Sequence, residues 1–340
     1  MRRRGVTILI GCIVLALLGW QIGGVRVPYV ELGPGPTYDT LGANDGKPII
    51  AVEGAPTSRS TGQLRLVTVS VQPDMTLFDA ALGWFSGDVA VVPRELVYPP
   101  DKTEQQVDDE NAKDFKESQS SAETAALREL GYPVDVTVTK VTDGFPATGV
   151  LLVGDVITEV DGTLVTSDVV LRTLITAKPA GERHQVTVRR GTETMALQVG
   201  TAKDENDAPR LGVSVELRQP HPFTLKIELD RIGGPSAGLM FALGIIDTLK
   251  PEDLTGGNLI IGTGTIDEDG KVGPIGGIQQ KLVAATQEHA KVFLTPADNC
   301  AEALASAPAD LPLVKVATLR DALDALAALR EHRTPKLCGQ

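Results

Sequence analysis

The sequence contains few aromatic residues and few cysteines, and each shortage excludes a class of protein. Aromatic residues make up 4% of the 340 positions, so the cores are expected to consist of Val, Ile, Leu and Ala. The three cysteines (Cys12, Cys300 and Cys338) are too few for a disulfide framework or a structural zinc site. Cys12 lies in an apolar N-terminal run, so at most one disulfide can form, between the other two. The cysteines therefore do not define the redox compartment.

Motifs for metal and nucleotide chemistry are also missing. The four histidines are scattered and form no His-Glu-x-x-His pattern, which argues against a zinc protease. No Gly-x4-Gly-Lys-Ser/Thr loop occurs, so we expect no ATP-driven motor in this chain and no cofactor. The formal net charge of −12 argues against nucleic acid as a partner, and solubility explains it most simply.

One long hydrophobic run is present, at the N-terminus. Residues 5–25 carry no charge, and a helix of this length would span ~30 Å of hydrocarbon. Arginines at positions 2–4 precede the run, so the positive-inside rule places the N-terminus in the cytoplasm and the rest of the chain outside. A cleaved signal peptide is the alternative, but no clear small-x-small cleavage site follows Leu18. We expect residues 1–26 to be an uncleaved single-pass anchor in the lipid bilayer of the cell membrane.

The next hundred residues mix turn-like, strand-like and helix-like patterns. Residues 27–44 are rich in Gly and Pro, which predicts a linker. Residues 63–71 alternate and are β-branched, which predicts a strand. Residues 76–85 have a helical pattern, and a polar stretch at 104–130 predicts a second helix that ends at Gly131.

Residues 131–203 show a pattern of short strands with one helix-like piece. Positions 151–162 read Leu-Leu-Val-Gly-Asp-Val-Ile-Thr-Glu-Val-Asp-Gly and follow a Gly-Phe-Pro-Ala turn at 144–147. A helix-like piece at 167–177 and a strand at 185–191 come next. This order resembles a bacterial-type PDZ domain, which is a small β-rich fold.

The PDZ resemblance implies a peptide-binding module. PDZ domains take a peptide as an added strand and hold its terminal carboxylate with backbone N–H groups. The loop before the first strand, with Gly131, Tyr132 and Val134, is the expected carboxylate site, although Pro133 within it has no N–H to donate. A spacer or packing module is the alternative interpretation.

A glycine-rich turn places a serine at the start of an apolar helix. The turn reads Gly-Gly-Pro-Ser-Ala-Gly over 233–238, with Ser236 in its centre, and an apolar run follows at 239–247. Free N–H groups and the helix dipole favour developing negative charge there, which suits a nucleophile and an oxyanion. A simple N-cap role for Ser236 is the alternative, because serine is common at helix starts.

A second segment carries a lysine on a predicted helix. It reads Gly-Lys-Val-Gly-Pro-Ile-Gly-Gly-Ile-Gln-Gln-Lys-Leu-Val-Ala-Ala over 270–285, with Lys281 near its end. By itself this could be a surface lysine on an amphipathic helix. Together the two segments resemble the Lon protease family, which has Gly-Pro-Ser-Ala-Gly and then Pro-Ile-Gly-Gly-(x)3-Lys-x-x-Ala-Ala in the same order. The serine and lysine stand 45 positions apart (281 minus 236), which is comparable with the family.

The Lon resemblance implies a Ser-Lys dyad. Ser236 would be the nucleophile and Lys281 the general base, which must be neutral and therefore buried, because its ordinary pKa is ~10.4. Thr263 matches a family threonine that orients the lysine amine. Backbone N–H groups near Gly234 and Ser236, on either side of Pro235, would hold the oxyanion. Many family members have an acidic residue three positions before the serine; here that residue is a glycine.

The expected fold class is α+β, a Lon-type protease domain of mixed sheets and helices plus the PDZ-like domain and the anchor. The stretch 204–335 holds the dyad but is short for a whole Lon-type domain. We therefore expect residues 45–130 to supply its N-terminal part, with the PDZ-like module inserted; three consecutive units are the alternative. Lon-type domains often form rings, so a homo-oligomer is an expectation.

The expected function is an ATP-independent, membrane-anchored serine endopeptidase that acts on extracytoplasmic protein or peptide substrates. A binding scaffold without catalysis is the first alternative, but a scaffold needs neither dyad residue. An esterase or signal-peptidase-like hydrolase with the same dyad is the second. The length of the two Lon-type motifs favours the endopeptidase.

Overall fold

A computed structural model describes Ile10, Ile13 and residues 23–340 except positions 59, 230, 231 and 309. The described residues include seven α-helices: α1 (Leu77–Trp84), α2 (Glu104–Glu129), α3 (Asp168–Thr176), α4 (Gly238–Leu249), α5 (Ile278–Gln287), α6 (Cys300–Ser306) and α7 (Leu319–Arg330). Two 3-10 helices are Arg94–Leu96 and Ala297–Asn299.

The strands of the described residues, in chain order, are β1 (Arg26–Val27), β2 (Tyr29–Asp39), β3 (Ala43–Asn44), β4 (Lys47–Pro48), β5 (Ile50–Glu53), β6 (Gln63–Gln72), β7 (Met75–Thr76), β8 (Ala90–Pro93), β9 (Asp135–Val141), β10 (Val156–Val160), β11 (Thr163–Leu164), β12 (Arg183–Arg190), β13 (Glu193–Gly200), β14 (Ala202–Lys203), β15 (Pro209–Arg210), β16 (Val213–Arg218), β17 (Thr224–Ile227), β18 (Leu259–Gly262), β19 (Thr265–Ile266), β20 (Val272–Gly273), β21 (Val292–Pro296) and β22 (Leu313–Val316).

The chain divides into two compact units. The first, called the outer-sequence unit here, comprises the chain up to Ala126 and Phe223–Gln340. The second, called the middle unit, is the continuous stretch Leu127–Pro222. The middle unit therefore lies in sequence between the two parts of the other. Both units combine sheets with helices, so the fold class is α+β.

A six-stranded mixed sheet organises the outer-sequence unit. Its strand order is β22-β21-β18-β6-β2-β8, with parallel pairing from β22 to β6 and antiparallel pairing of β2 with both of its neighbours. Helix α4 is buried along almost its whole length, and α5 and α7 bury one face each. This continuous apolar packing is the main source of stability for the two motif-bearing helices, α4 and α5.

The prediction of a linker at 27–44 is wrong, because β2 occupies most of it and lies in this sheet. The register of β2 against β6 shifts between Pro34 and Thr37, so the proline-rich part forms a bulge where missing N–H groups do not break a ladder. Gly35 permits the close approach there, since an added Cβ would lie 2.4 Å from Thr68 Oγ1. Composition alone indicated a loop, and tertiary pairing decides otherwise.

A five-stranded antiparallel path organises the middle unit, in the order β13-β12-β10-β9-β16, with β11 attached to β10. Helix α3 covers the core, and the side chain of its N-cap Ser167 accepts a hydrogen bond from the N–H of Val170. The predicted domain end at 203 is wrong, because β16 pairs with β9 over Val213–Arg218. The stretch 204–335, predicted to belong to the protease part, therefore begins with residues of the middle unit.

A disulfide bonds Cys300, at the start of α6, to Cys338 near the C-terminus. The N–H of Cys338 also donates to the carbonyl of Leu313, so the final segment lies against β22.

Residues 5–25, predicted to span the membrane, lie outside the described residues except for Ile10, Ile13 and 23–25. None of the helices in the described part of the chain is both long and apolar enough to cross a bilayer.

Candidate active site

The nucleophile turn (Gly233–Gly238) is held by helix α2. Ser118, buried in the middle of α2, donates its Oγ hydrogen to the carbonyl of Pro235 at 2.9 Å. The N–H of Gly234 donates to the carbonyl of Asn111, which lies about two turns before Ser118 on the same face of α2, also at 2.9 Å. The close fit requires small residues: a Cβ on Gly238 would lie 2.9 Å from Ser118 Oγ. The turn is therefore fixed by contacts that span more than a hundred positions of sequence.

Ser236 does not cap the apolar helix. The N-cap of α4 is Ala237, which makes no side-chain capping bond, and the helix begins at Gly238. The carbonyl of Ser236 accepts hydrogen bonds from Thr263 Oγ1 at 3.0 Å and from the N–H of Gly264 at 2.9 Å. The backbone of the serine is thus fixed while its half-buried hydroxyl points to another partner.

That partner is Lys281, on the first turn of α5. Its Nζ donates to Ser236 Oγ at 2.8 Å and to Thr263 Oγ1 at 2.9 Å. The lysine side chain is 2% exposed, and burial lowers its pKa to about 7 because the interior disfavours the ammonium form. A substantial fraction of the lysine is therefore neutral near pH 7. The structure brings together the three side chains that the motifs singled out.

The turn before α5 determines where the lysine lies. Gly277, the N-cap, has φ of +67°, and a Cβ there would lie 2.8 Å from Val69 Cγ2. Asn299 fixes the backbone of Ile275, two positions earlier, because its Oδ1 accepts from the N–H of Ile275 at 2.9 Å and its Nδ2 donates to the Ile275 carbonyl at 3.0 Å. These contacts explain the second glycine of the Gly-Gly pair, Gly277, in physical terms, whereas a Cβ on Gly276 would meet nothing within 4 Å.

The oxyanion donors differ from the expected set in one respect. The N–H of Gly234 already donates to Asn111, so in this structure it is not available to an incoming oxyanion. Pro235 has no N–H, and its carbonyl accepts from Ser118. Among the described residues, the N–H groups of Ser236 and Ala237 have no acceptor, and they precede α4, where the helix dipole favours negative charge.

A groove of about 790 Å³ opens onto Ser236 and Lys281. One wall is strand β6, which pairs with β18 only as far as Leu66. Beyond Leu66 that edge of β6 has no partner strand in the described part of the chain, while residues 67–69 and Val71 line the groove. The other lining side chains are largely apolar and include Leu32, Val97, Val107, Ala112 and Ile232, and polar atoms come from Asp108, Asn111, Tyr38 and Tyr98.

The middle unit has its own groove, of about 720 Å³, between α3 and the edge strand β16. Its apolar lining comes from both elements, with Leu171 and Ile175 on α3 and Val213, Val215 and Leu217 on β16. The turn that leads into β16 contains Gly212, with φ of +89°, and a Cβ there would lie 2.0 Å from Phe145 Cβ. An edge strand beside an apolar helix face has the geometry for adding a peptide strand.

The expected carboxylate loop of the middle unit has another role. The N–H of Gly131 donates to the carbonyl of Arg128 at 3.0 Å, and that of Tyr132 donates to the carbonyl of Leu127 at 2.8 Å. With Gly131 at φ of +89°, this is a Schellman cap that ends α2. Val134 follows Pro133 and precedes β9. The groove lies at Leu211–Val213 instead, a Leu-Gly-Val turn before an alternating strand that could have revealed it.

Two family descriptions match parts of the chain. Residues 231–326 match the Lon protease (S16) C-terminal proteolytic domain, and residues 106–201 match the PDZ domain. Each of these matches covers less than half of the chain. The Lon-type match contains all three side chains of the site, and the PDZ match extends into α2.

Known proteins are similar to parts of this chain. The chain is 31% identical over 139 residues to the Lon protease of Xanthomonas oryzae, covering 39% of this chain and 16% of that protein. It is 34% identical over 93 residues to Lon protease 2 of Bacillus subtilis, covering 27% of this chain and 16% of that protein. It therefore spans about a sixth of the length of these relatives. The PDZ domain of the SdrC-like protein of Listeria monocytogenes is 28% identical, with a TM-score of 0.23, over 24% of this chain and 86% of that one.

Proposed function

We propose that this chain, which contains a Lon-type proteolytic domain and a PDZ domain, is a membrane-anchored serine endopeptidase that cleaves extracytoplasmic proteins without ATP. Ser236 attacks the scissile carbonyl and Lys281 accepts its proton. The observation that carries this proposal is the 2.8 Å contact between a buried lysine and the serine hydroxyl. A serine is a weak nucleophile unless a neighbouring base takes its proton, and a lysine of lowered pKa can do so.

The reaction follows from the positions of the site residues. Neutral Lys281 takes the hydroxyl proton as Ser236 Oγ bonds to the substrate carbon, and the ammonium then donates that proton to the leaving amine. Thr263 accepts from the lysine amine and orients it. The N–H groups of Ser236 and Ala237 hold the oxyanion of the tetrahedral intermediate. Water then releases the acyl group by the same steps in reverse order.

The groove supports a peptide substrate in extended form. A chain lying along the free edge of β6 can form backbone hydrogen bonds with it, as in strand addition. Most of the lining is apolar, so segments with apolar side chains, as in unfolded proteins or exposed loops, fit it best. Because such pairing needs an unfolded segment, the chain acts on substrates that expose one.

Three features support the proposed location and the lack of an ATP requirement. The uncharged run at 5–25 follows an arginine cluster, which favours a single span with the remainder outside the cytoplasm. The Cys300–Cys338 disulfide is typical of an oxidising compartment. The 340 residues contain no phosphate-binding loop, and ATP is scarce outside the cytoplasm.

The middle unit, inserted in the protease domain, recruits substrate or regulator peptides into its α3–β16 groove, and the chain works as a homo-oligomer.

The test is cleavage of casein by the detergent-solubilised full-length protein without ATP. We expect fragments from the unaltered chain and none from Ser236→Ala, with Ser70→Ala as a serine control on the exposed end of β6. Labelling of Ser236 by a fluorophosphonate with no casein cleavage would identify an esterase-type hydrolase instead. Neither labelling nor cleavage would favour the scaffold.

A further inference from the structure

Helix α1 has an inverted distribution of apolar side chains. Its two buried residues, Ala80 and Gly83, are small, and the packing at Gly83 leaves no room for a side chain, since a Cβ would lie 2.5 Å from Val91 Cγ2. The large apolar residues are on the outside. A surface helix normally buries large apolar residues and exposes polar ones, so water is a poor environment for this face.

The exposed side chains form one surface, called the α1 patch here. The exposed fractions are 59% for Phe78, 57% for Leu82, 55% for Trp84 and 92% for Phe85. Phe78, Leu82 and Phe85 are four and three positions apart and share a face, and Trp84 lies about 100° around the helix from Phe85, with its ring against Tyr29. An exposed apolar patch of this kind marks a binding surface for a protein or a membrane.

The end of the N-terminal apolar run lies next to this patch. The N–H of Leu77, the first residue of α1, donates to the carbonyl of Val25 at 2.8 Å. Strand β1 pairs with β7 immediately before the helix. A Cβ on Gly23 would lie 3.5 Å from Phe78 Cβ. The patch therefore begins where the uncharged run 5–25 ends.

We propose that the α1 patch docks in the interfacial layer of the bilayer that holds the N-terminal run. Aromatic side chains favour that layer, and a helix lying in it buries its apolar face ~5–10 Å deep. This proposal rests on the proposed membrane anchor, because the anchor determines which side of the folded unit faces the bilayer. Helix α1 contains Asp79 and no Lys or Arg, and Asp79 is engaged with Thr76 in a capping box. The attraction of α1 is therefore apolar, and Arg26 on the neighbouring β1 is paired with Asp74 at 3.9 Å.

The two tryptophans of the chain allow the docking and the anchor to be tested separately, since Trp20 lies in the apolar run and Trp84 in the patch. Full-length Trp20→Phe protein is reconstituted into phosphatidylcholine vesicles with brominated or ordinary acyl chains, because bromine quenches nearby tryptophan. We expect a roughly twofold lower Trp84 emission in brominated vesicles, given the interfacial depth of such helices. Equal emission in the two vesicles would overturn the docking.

The Trp84→Phe protein reports on the anchor in the same way. If Trp20 is quenched and Trp84 is not, the anchor inserts but the α1 patch does not dock. This conclusion holds whether or not a second copy of the chain covers the patch. Unquenched Trp20 refutes the anchor, and the docking is then decided by Trp84 alone.

Variants of the patch complete the test. In the Trp20→Phe background, Phe78→Ser with Phe85→Ser is expected to abolish most of the quenching of Trp84. Both side chains are exposed, so casein cleavage in detergent should be unchanged and will show that the fold is intact. Leu164→Ser, at a position 67% exposed in the middle unit, is the matched control and should keep the quenching. Quenching that survives the double substitution, or that disappears in high salt, contradicts an apolar docking surface.

Discussion

The hydroxyl of Ser118 donates a hydrogen bond to the carbonyl of Pro235, the residue before the serine that carries the proposed chemistry. Ser118 belongs to the 26-residue helix α2, and the two residues are 117 positions apart. Helix α2 thus positions the nucleophile turn without contributing a reacting group. The positioning is of the kind that catalysis needs, since small displacements of a nucleophile lower the rate steeply.

Ser118→Ala is expected to lower kcat for a peptide substrate roughly 5- to 10-fold, because one hydrogen bond of ~1 kcal/mol no longer fixes the turn. KM and the pH midpoint should change little, because the groove and Lys281 are untouched. Steady-state kinetics beside Ser120→Ala, an exposed serine on the same helix, will check this. A loss confined to thermal stability, with kcat unchanged, would remove the positioning role.

Lys281→Ala and Lys281→Arg are both expected to abolish casein cleavage while leaving the fold intact. Alanine has no base, and the guanidinium of arginine does not deprotonate in proteins. Lys271→Ala, a substitution of an exposed lysine ten positions earlier, should retain full activity. Measurable turnover by the arginine variant would show that the general base is another group.

Activity should rise with pH through about 7 and reach a plateau above it. Lys281 acts as a base only when neutral, and burial lowers its pKa to about 7. Below that value kcat/KM should fall about tenfold per pH unit, as expected for one essential proton. A pH–rate profile between pH 5 and 9 will measure the midpoint; a midpoint near the ordinary lysine value would contradict a buried base.

The same burial affects stability in a defined direction. Between the native pKa of about 7 and the unfolded value of ~10.4, the unfolded chain binds more protons, so stability rises with pH in this window. Below pH 7 the buried ammonium carries its full desolvation penalty. Lys281→Met should therefore be more stable than the unaltered chain by roughly 2–4 kcal/mol at pH 6, with the difference vanishing towards pH 10.

Val215→Arg should block the groove of the middle unit. Val215 lines it on the edge strand β16, and a long charged side chain there displaces an added peptide strand. We expect at least tenfold weaker binding of apolar C-terminal peptides, measured by fluorescence anisotropy, with casein cleavage unchanged. Val169→Arg, an exposed valine on α3, is the control. Equal peptide affinity in both variants would place the peptide elsewhere.

Cys300→Ser or Cys338→Ser should lower the free energy of unfolding by ~2–4 kcal/mol, because the bond closes a loop of 38 positions that is otherwise free in the unfolded chain. Denaturant titration under non-reducing conditions will measure the change. Cys12→Ser, a substitution in the apolar run, is expected to have no such effect. An unchanged midpoint for both single variants would show that the bond does not form in solution.

The sequence was most informative where local chemistry demands a local pattern. Gly277 before Lys281 and the glycines around Ser236 are needed for tight turns and close contacts, so parts of both motifs have a local physical cause that is visible in the chain. Helix α3 was predicted at 167–177, and those two residues are its caps. The structure brings Ser236, Lys281 and Thr263 within hydrogen-bond distance.

Contacts between residues far apart in the sequence could not be predicted from local patterns. Strand β2 has the composition of a loop, and only its neighbour β6 makes it a strand. Ser118 and Asn111 lie on a polar helix with no motif, and their role depends on a turn more than a hundred positions away. The sequence predicts a carboxylate-binding loop at Gly131, whereas in the structure this glycine ends α2.

In a chain anchored as proposed, the hydrogen bond between Val25 and Leu77 limits how far the folded body can travel from its attachment. A flexible tether would let a protease sample a volume above the membrane, whereas here the last residue of the apolar run is already part of the fold, and Tyr29 enters the sheet within ~14 Å of chain. For the proposed anchored protease, encounters with substrate would be a two-dimensional search, in which the surface density of a membrane-bound substrate replaces its bulk concentration. Substrates that are themselves attached to the membrane gain most from this confinement.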